Sequence, residues 1–353
     1  MHIWTIGRDG ITKDYGLAYS YEIDIDILSS GKSRFEMSVD NERGDCTLGL
    51  GYSEGDFALA KDDFNTYFGV IDSTENNVLV ITDILSLLNF EFPATRMSGD
   101  SFELHCKKLI EYYLIKDSNK LMSNIVIEVG SNTKHIYQPS DPPTPTNLMK
   151  YLINGFKKYN VVWEFVRIEN GKIYTRISAK KDSIQFKTDI HGIRNLDIST
   201  TEVGKGVENH IMIVDATTSN SEQPKVLSNW WATNENKVTS DRNDPKIVKP
   251  TKTIVWIYDT TAEDKPNYID VATSELQSSF YAHEITFEIH KNSKLLEVSK
   301  LEIGTLAKIY RKNQDGTSTK LDSVLTAYRY SDDSDYIELS FGHVRSRFSE
   351  LLE

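Results

Sequence analysis

The residues with the clearest catalytic pattern are Gly51-Tyr52-Ser53-Glu54-Gly55, which match the G-x-S-x-G sequence of a nucleophile elbow. Such an elbow places its serine between a strand and a helix of an alternating β/α sheet, with Asp and His later in the chain. Residues 46–50 could form the strand, but residues 56–63 are too short and too poorly patterned for the helix. We therefore predict a glycine-rich β-turn without catalysis, and a Ser53 hydrolase is the competing hypothesis.

Two histidines raise the question of a zinc site. A zinc protease needs H-E-x-x-H on a helix, because imidazoles four residues apart then share one face. His283-Glu284 and His290 are instead separated by seven residues, in a segment whose apolar alternation predicts a strand. On a strand this spacing puts the two histidines on opposite faces. We predict no metal here, and a metal-dependent hydrolase using His283 and His290 is the competing hypothesis.

Other polar turns also lack the spacing that chemistry requires. Residues 40–45 and 332–335 are rich in Asp, but neither stretch has the alternating acids and distant Glu of an EF-hand loop. Solvated turn acids are the expectation, with an incidental Ca²⁺ as the alternative. Gly204-Lys205-Gly206 lacks the Lys-Ser/Thr pair of a phosphate-binding loop. We predict no catalytic residue, no metal ligand and no cofactor.

Trp230-Trp231 is the one candidate site that the sequence retains. The pair lies in residues 217–250, a stretch rich in Ser, Asn, Asp and Lys that we predict to be a long loop. Tryptophan contributes strongly to protein interfaces. The prediction is that this loop reaches a neighbouring subunit or partner. Two alternatives stay open: one ring packs back onto its own domain while the other is half exposed, or both rings stack on a carbohydrate.

The first hundred residues have the pattern of an all-β domain. Residues 21–27 and 34–39 alternate apolar with polar side chains, as expected of strands with one buried face. Residues 67–72 and 78–81 flank a plausible hairpin loop at 73–77. Short strands separated by turns predict a small barrel or sandwich.

The pattern changes to helices and strands after Gly99. Asp100 and Glu103 form a capping-box pattern, and a second helix follows from Leu148, Leu152 and Phe156. Asn170-Gly171 is a strong hairpin signal between strands at 161–168 and 173–179. The first helix has an apolar stripe of Phe102, Cys106, Leu109, Ile110, Tyr113 and Leu114.

Strands dominate again after Gly204, interrupted by one helix that begins at Pro266. The helix should bury Ile269, Ala272, Leu276 and Phe280. We predict a multidomain protein of mixed β and α+β class, with two small β-barrel-like domains and α+β domains between and inserted. The predicted domains are a first barrel at 1–100, an α+β domain at 101–200, a second barrel at 201–261 and 292–353, and an inserted helix–strand segment at 262–291 that packs with the α+β part.

Composition restricts the class of function. The 353 residues include 52 acidic and 40 basic side chains, a net charge of −12, which disfavours binding to nucleic acid through a large basic surface. The longest apolar stretch, Val78 to Leu88, is interrupted by Asp83 and is too short to span a membrane. The start lacks the features of a secretory signal, and two cysteines without a CxxC pattern suit a reducing cytoplasm.

Four stretches together resemble the baseplate hub family of tailed phages, that is, the N-terminal structural part of siphophage tail-associated proteins and the hub of contractile tails. The stretches are residues 67–90, which include Tyr67-Phe68-Gly69-Val70-Ile71-Asp72 and Thr82-Asp83-Ile84-Leu85, then 105–111, 147–165 and 339–342. They are similarities of pattern that occur in order over nearly the whole chain. In such hubs, two barrel-like domains enclose α+β domains, and three chains form a ring around the tail channel.

The resemblance implies a structural, non-enzymatic protein of the virion tail tip, assembled in the cytoplasm of the host bacterium. The implied partners are two further copies of the chain, the distal tail protein, the tape-measure protein and receptor-binding or baseplate proteins. DNA would pass through the channel without sequence-specific contacts. Many relatives continue into a peptidase, lysozyme or receptor-binding extension, and this chain ends at Glu353. A cell-wall-directed hydrolase and a carbohydrate-binding tail component are the alternative functions.

Overall fold

The computed structural model describes residues 1–28, 31–37, 39–40, 45–46, 52–62, 66–75, 77–93, 101–117, 120, 122–133, 145–189, 192–200, 208–249, 251–262, 265–280, 283–293, 301–313 and 315–342. The chain divides into two compact units. The first contains the described parts of Met1–Phe156, Asn160–Leu196 and Thr286–Phe341, and the second contains Lys157–Tyr159, the described part of Asp197–Ile285, and Gly342. No helix among these residues is long and apolar enough to cross a membrane.

A closed barrel opens the chain, as the alternating pattern predicts. Its strands pair in the order β1-β6-β7-β8-β3-β2, and β2 pairs back to β1, which closes the ring of six. Ile3, Phe35, Phe57 and Leu79 are almost fully buried in this unit. The strands of this region are β1 (His2–Ile6), β2 (Thr12–Asp26), β3 (Lys32–Met37), β4 (Val39–Asp40), β5 (Asp45–Cys46), β6 (Phe57–Lys61), β7 (Thr66–Glu75) and β8 (Val78–Asp83), with β4 and β5 forming a separate pair.

The region after the first barrel combines helices with strands, as its sequence pattern predicts. Strand β10 (Ile125–Val129) lies parallel to β13 (Lys172–Ala179), which pairs antiparallel with β12 (Val161–Glu169). Asn170 and Gly171 both have positive φ, 51° and 71°, as a two-residue hairpin turn requires. The remaining elements are a 3₁₀ turn at Ile84–Leu88, β9 (Glu91–Pro93), α1 (Phe102–Ile110), a π-helical turn at Glu111–Ile115, β11 (Pro145–Asn147) and α2 (Leu148–Tyr159).

Both helices of this region bury the predicted stripe, but the first begins differently. Phe102, Cys106 and Leu109 of α1 are buried, as are Leu148, Leu152 and Phe156 of α2. The N-cap of α1 is Ser101, whose hydroxyl accepts a hydrogen bond from the N–H of Leu104. The predicted capping box is therefore wrong in its cap, because Ser101 occupies the position assigned to Asp100, which lies outside the described residues.

A second six-stranded sheet follows, in the order β14-β21-β22-β23-β20-β15. It joins the barrel because β22 also pairs with β2. Phe186, Phe287 and Phe341 pack together in its core, with ring centroids 5.1 to 5.7 Å apart. Its end strands β14 and β15 are consecutive in sequence, but no ladder joins them in the described part of the chain. Its strands are β14 (Ser183–Lys187), β15 (Ile193–Thr200), β20 (His283–His290), β21 (Leu306–Lys312), β22 (Ser318–Ser331) and β23 (Tyr336–Gly342).

The second unit contains a four-stranded sheet where the sequence predicts a long loop. The order is β18-β17-β16-β19, built from β16 (His210–Asp215), β17 (Val226–Ala232), β18 (Val238–Thr239) and β19 (Thr253–Tyr258). The loop prediction for residues 217–250 is therefore wrong for β17 and β18. Helix α3 (Tyr268–Phe280) contacts β16, β17 and β18. Ala272 and Leu276 are buried as predicted, whereas Ile269 is 47% exposed and Val271 is buried in its place.

The mixed, mostly β fold class is thus confirmed, with one closed barrel. The predicted second barrel and the residue limits of the domains stay predictions.

Candidate interface on the four-stranded sheet

The two candidate tryptophans lie in strand β17, which decides where each ring points. Neighbouring residues of a strand face opposite sides of the sheet. Trp230 is opposite Ile211 in the register with β16, and Ile211 is fully buried. Trp231 is opposite His210, and the two rings stack with centroids 4.7 Å apart. The pair therefore belongs to two different surfaces of the sheet.

The face that carries Trp230 is the covered one. Ile211 and Ile213 of β16 share this face and have no exposed surface. Helix α3 packs on the sheet and buries Val271, Ala272 and Leu276. The indole N–H of Trp230 and that of Trp256 are buried without a hydrogen-bond partner among the described residues. Trp230 is consequently a packing residue of the second unit.

The face that carries Trp231 is open, and we call it the open face. The register pairs Met212 with Val255 and Val214 with Ile257 across β16 and β19. Val255 is 62% exposed and Ile257 is 55% exposed, although both are large and apolar. Exposed apolar side chains that cluster on one surface mark protein–protein contact sites. The described residues on this side of the sheet are Trp231, Asn229, Val226, His210, Met212, Val214, Thr253, Val255 and Ile257, and none is formally charged at neutral pH. His210 and Val214 are themselves buried.

Hydrogen bonds connect three polar side chains of the open face, those of Thr253, His210 and Asn229. His210 Nδ1 lies 2.7 Å from Thr253 Oγ1, and His210 Nε2 lies 3.2 Å from Asn229 Oδ1. Burial lowers the pKa of His210, while the hydrogen bond with Asn229 acts in the opposite direction. A neutral imidazole suits this position, because it can accept from the Thr253 hydroxyl and donate to the Asn229 carbonyl. The stacked His210 ring fixes the plane of Trp231.

Sequence reasoning missed His210, Asn229 and Thr253. The alternation in residues 209–214 and 253–258 shows that each strand has two faces, but it does not show which strands pair. The register of β16 with β17 and β19 brings the three side chains together. This information lies in tertiary contacts and not in any local motif.

Ser53 lies in a turn of the described chain. Its N–H donates to Asp56 Oδ2 at 2.7 Å, and the segment that follows is strand β6 and not a helix. Gly55 has a φ of 86°, typical of a tight turn. The prediction of a glycine-rich turn at Ser53 is confirmed.

His283 and His290 lie at the two ends of strand β20, as predicted. His283 is 8% exposed, and His290 Nδ1 accepts the N–H of Asn292. Because β20 is a strand, a separation of seven residues directs the two side chains to opposite faces. In the residues that the structure describes, no three His, Cys, Asp or Glu side chains are arranged to hold a metal ion.

The acidic turn at 332–335 has a structural role. Asp332 Oδ1 accepts hydrogen bonds from the N–H of Tyr21 at 2.6 Å and from the hydroxyl of Ser20 at 3.2 Å, which attaches the turn to β2. Most of the other acidic turn, residues 41–44, and Gly204-Lys205-Gly206 lie outside the described residues.

Solved structures of prophage and tail proteins align with nearly the whole chain. The 43 kDa tail protein of prophage MuSo2 from Shewanella oneidensis superposes with a TM-score of 0.50 at 9% identity, covering 98% of each chain. The prophage tail protein gp18 from Listeria monocytogenes EGD-e gives 0.49 at 11% identity and covers 100% of this chain and 98% of that one. The tail protein from Neisseria meningitidis MC58 gives 0.48 at 12%, with 97% and 95% covered. No protein-family model matches the chain, and no curated sequence is significantly similar to it.

The chain therefore shares its fold with a prophage tail protein. The resemblance predicted from the sequence is confirmed at the level of the fold.

Proposed function

We propose that this chain is a structural hub at the tip of a phage or prophage tail, where three copies form a ring that closes or continues the tail channel. The observation that carries the proposal is the correspondence in fold, over 98% of both chains, with the prophage tail protein from Shewanella oneidensis. A non-enzymatic role fits the surroundings of Ser53, His283 and His290 described above.

Symmetry supports a ring of three. A tail tube is a sixfold ring, and its tip must fit that symmetry with fewer and larger parts. Each chain contributes one closed six-stranded barrel and a second six-stranded sheet. We propose that this second sheet is the core of a second barrel-like domain. Three chains then present six similar units in one closed assembly. The net charge of −12 suits a conduit for DNA, because an acidic wall repels phosphate.

The open face is the proposed contact with a neighbouring subunit or tail protein. Its apolar, uncharged surface can be buried without breaking ion pairs. Trp231 supplies the aromatic anchor, whereas Trp230 stays within its own unit. The neighbouring proteins that we propose to be anchored around the ring are the distal tail protein, the tape-measure protein and receptor-binding or baseplate proteins.

The proposal is tested by the mass and symmetry of the purified chain. Sedimentation velocity should give a particle of three times 40.3 kDa, and electron-microscopic class averages should show a threefold ring with a central channel. A closed dimer, or open filaments, would contradict the ring. Release of soluble fragments from bacterial cell walls by the purified chain would contradict the non-enzymatic role.

A further inference from the structure

The first unit contains a pocket of about 430 Å³ that the proposed function does not use. It lies where the ends of barrel strands meet strand β12 and residues 301–303. This volume is within the range of pockets that bind small organic molecules or single side chains. Its walls combine buried aromatic rings with carboxylates, which is an unusual combination because burial disfavours charge.

Aromatic rings form the apolar part of the pocket. Phe68 of β7 and Phe165 of β12 stack with ring centroids 4.2 Å apart. Trp163 and Tyr67 also line the space and are only 3% exposed. The Tyr67 hydroxyl donates to the carbonyl of Ile81. The faces of such rings attract cations, and the attraction grows when water is excluded.

Most of the charged residues that line the pocket are acidic. Lys180 lies 2.6 Å from both Glu164 and Glu302, so it compensates part of their charge. Lys61 is the one basic residue that lines the described wall. Five carboxylates line the same wall, those of Asp26, Asp62, Asp83, Glu164 and Glu302.

Asp83 shows where a further positive charge would fit. Its Oδ1 accepts the N–H of Leu85 at 2.7 Å and so caps the 3₁₀ turn. Its Oδ2 accepts no hydrogen bond from the described residues. Burial raises the pKa of Asp83 to about 6, although the hydrogen bond from Leu85 opposes this rise. A half-buried carboxylate that has no counter-ion among the described residues is stabilised by any cation that can enter.

We propose that this pocket binds an organic cation, a guanidinium or alkylammonium group, which places its charge at Asp83 and its apolar stem against Phe68 and Phe165. The carboxylates stand around a space large enough for such a group, and the aromatic rings match its stem. The source could be an Arg or Lys side chain of a neighbouring protein or a free polyamine, since both present the same chemistry.

Calorimetric titration of the full chain near pH 7.5 tests the proposal. N-acetyl-arginine amide represents a protein side chain, spermidine represents a free polyamine, and N-acetyl-citrulline amide is the neutral isostere of the first. We expect the citrulline compound to bind at least about tenfold more weakly than the arginine compound. Tighter binding of spermidine would assign the site to a free polyamine, and tighter binding of the arginine compound would assign it to a partner protein.

Two variants connect the binding to Asp83. Asp83→Asn keeps an oxygen for the Leu85 N–H but removes the charge, and it should weaken binding by about tenfold. Asp72→Asn is the matched control, because Asp72 belongs to the same barrel, pairs with Lys32 and does not line the pocket. Circular dichroism verifies that both variants fold.

The pH dependence of binding distinguishes the contribution of the Asp83 charge from that of the shape of the pocket. Binding by the native chain should weaken as the pH falls through about 6, where Asp83 gains a proton, and Asp83→Asn should lose this component. The other titratable groups that line the described wall are Tyr67, Tyr328, Lys61, Asp26, Asp62, Glu164 and Glu302, and all are unchanged in the variant. Three results would overturn the proposal. The arginine and citrulline compounds bind equally, neither cation binds, or Asp83→Asn and Asp72→Asn weaken binding equally. Binding of Ca²⁺ in place of the organic cations would also overturn it, and none of these outcomes affects the proposed ring.

Discussion

Glu103 shows how one buried carboxylate can join two segments of the first unit. It has no exposed surface, and it accepts hydrogen bonds from the hydroxyl of Ser131, the hydroxyl of Thr133 at 2.7 Å and the N–H of Thr133 at 2.8 Å. Glu103 therefore holds residues 131–133 against the start of α1. The sequence predicted a capping glutamate, and the structure assigns the same residue to a tertiary contact.

Glu103→Gln should lower the free energy of unfolding by about 2 kcal/mol, because the amide group of Gln cannot accept all three hydrogen bonds. Urea denaturation measures the change. Glu111→Gln is the control, since the Glu111 side chain is 34% exposed and pairs only with Lys107 in the described ion pairs. The control should change stability by less than about 0.5 kcal/mol. A comparable loss in both variants would contradict the role of Glu103.

The same carboxylate should give stability a dependence on pH. Burial acts to raise the pKa of Glu103, but the hydrogen bonds from Ser131 and Thr133 outweigh it and lower the pKa below its ordinary value. Stability from a lowered pKa is present above the unfolded-state pKa, about 4.3, and is lost as the pH falls through the folded-state pKa. The stability difference between the native chain and Glu103→Gln should therefore shrink below about pH 4. A difference that stays constant down to pH 2.5 would contradict this.

At the scale of elements, the hairpin between β12 and β13 depends on two glycines of different kinds. Gly171 has a φ of 71° and no atom within 4 Å of the position of an added Cβ. Gly10 has a φ of 79°, and an added Cβ would lie 1.9 Å from the carbonyl oxygen of Gly171. Gly171→Ala should cost about 1 kcal/mol of stability, from backbone strain alone. Gly10→Ala should cost at least about 2 kcal/mol, because strain and collision add. Thermal or urea unfolding of the two variants measures both losses of stability. Equal losses would contradict the close approach of Gly10 to the carbonyl oxygen of Gly171.

Trp230 and Trp231 lie on opposite faces of the four-stranded sheet, so we expect their substitution to affect different properties. Trp230→Ala should lower the unfolding free energy by about 3 kcal/mol, since it leaves a cavity on the covered face. Trp231→Ala should change stability less but weaken subunit assembly by roughly 2 kcal/mol, as loss of an interface anchor does. Unfolding curves and sedimentation equilibrium measure the two effects separately. Unchanged assembly in Trp231→Ala would remove the open face from the proposed contact.

Local signals predicted most elements, and their failures have physical causes. The Asn170-Gly171 turn, the stripes of α1 and α2 and the alternation of β3 are encoded within a few neighbouring residues, so the sequence alone reveals them. Strand β17 (Val226–Ala232) was predicted as loop because it lies in a stretch rich in Ser, Asn, Asp and Lys. Its strand conformation is stabilised by pairing with β16, which is a contact between distant parts of the chain.

At the scale of the whole molecule, local sequence patterns did not predict the order of the strands. The closure of β1 on β2 and the junction of β2 with β22, more than 300 residues apart, follow from no local pattern. The resemblance to phage hubs predicted barrel-like domains around α+β domains, but it gave no strand order. Of the residues on the open face, the sequence singled out Trp231 but not its neighbours His210, Met212 and Val255.

The charge of the whole chain leads to a prediction about its assembly. Each copy has a net charge of −12, so three copies repel one another when the screening length is long. The open face carries no formal charge at neutral pH, and its burial does not depend on attraction between ions. The screening length falls from about 30 Å at 0.01 M salt to about 8 Å at 0.15 M. We therefore expect the proposed trimer to dissociate more readily at low salt and to be stabilised at about 0.15 M, as sedimentation equilibrium at a series of salt concentrations would show. An assembly that weakens as salt is added would instead require ion pairs between subunits, and the apolar open face would not be the main contact.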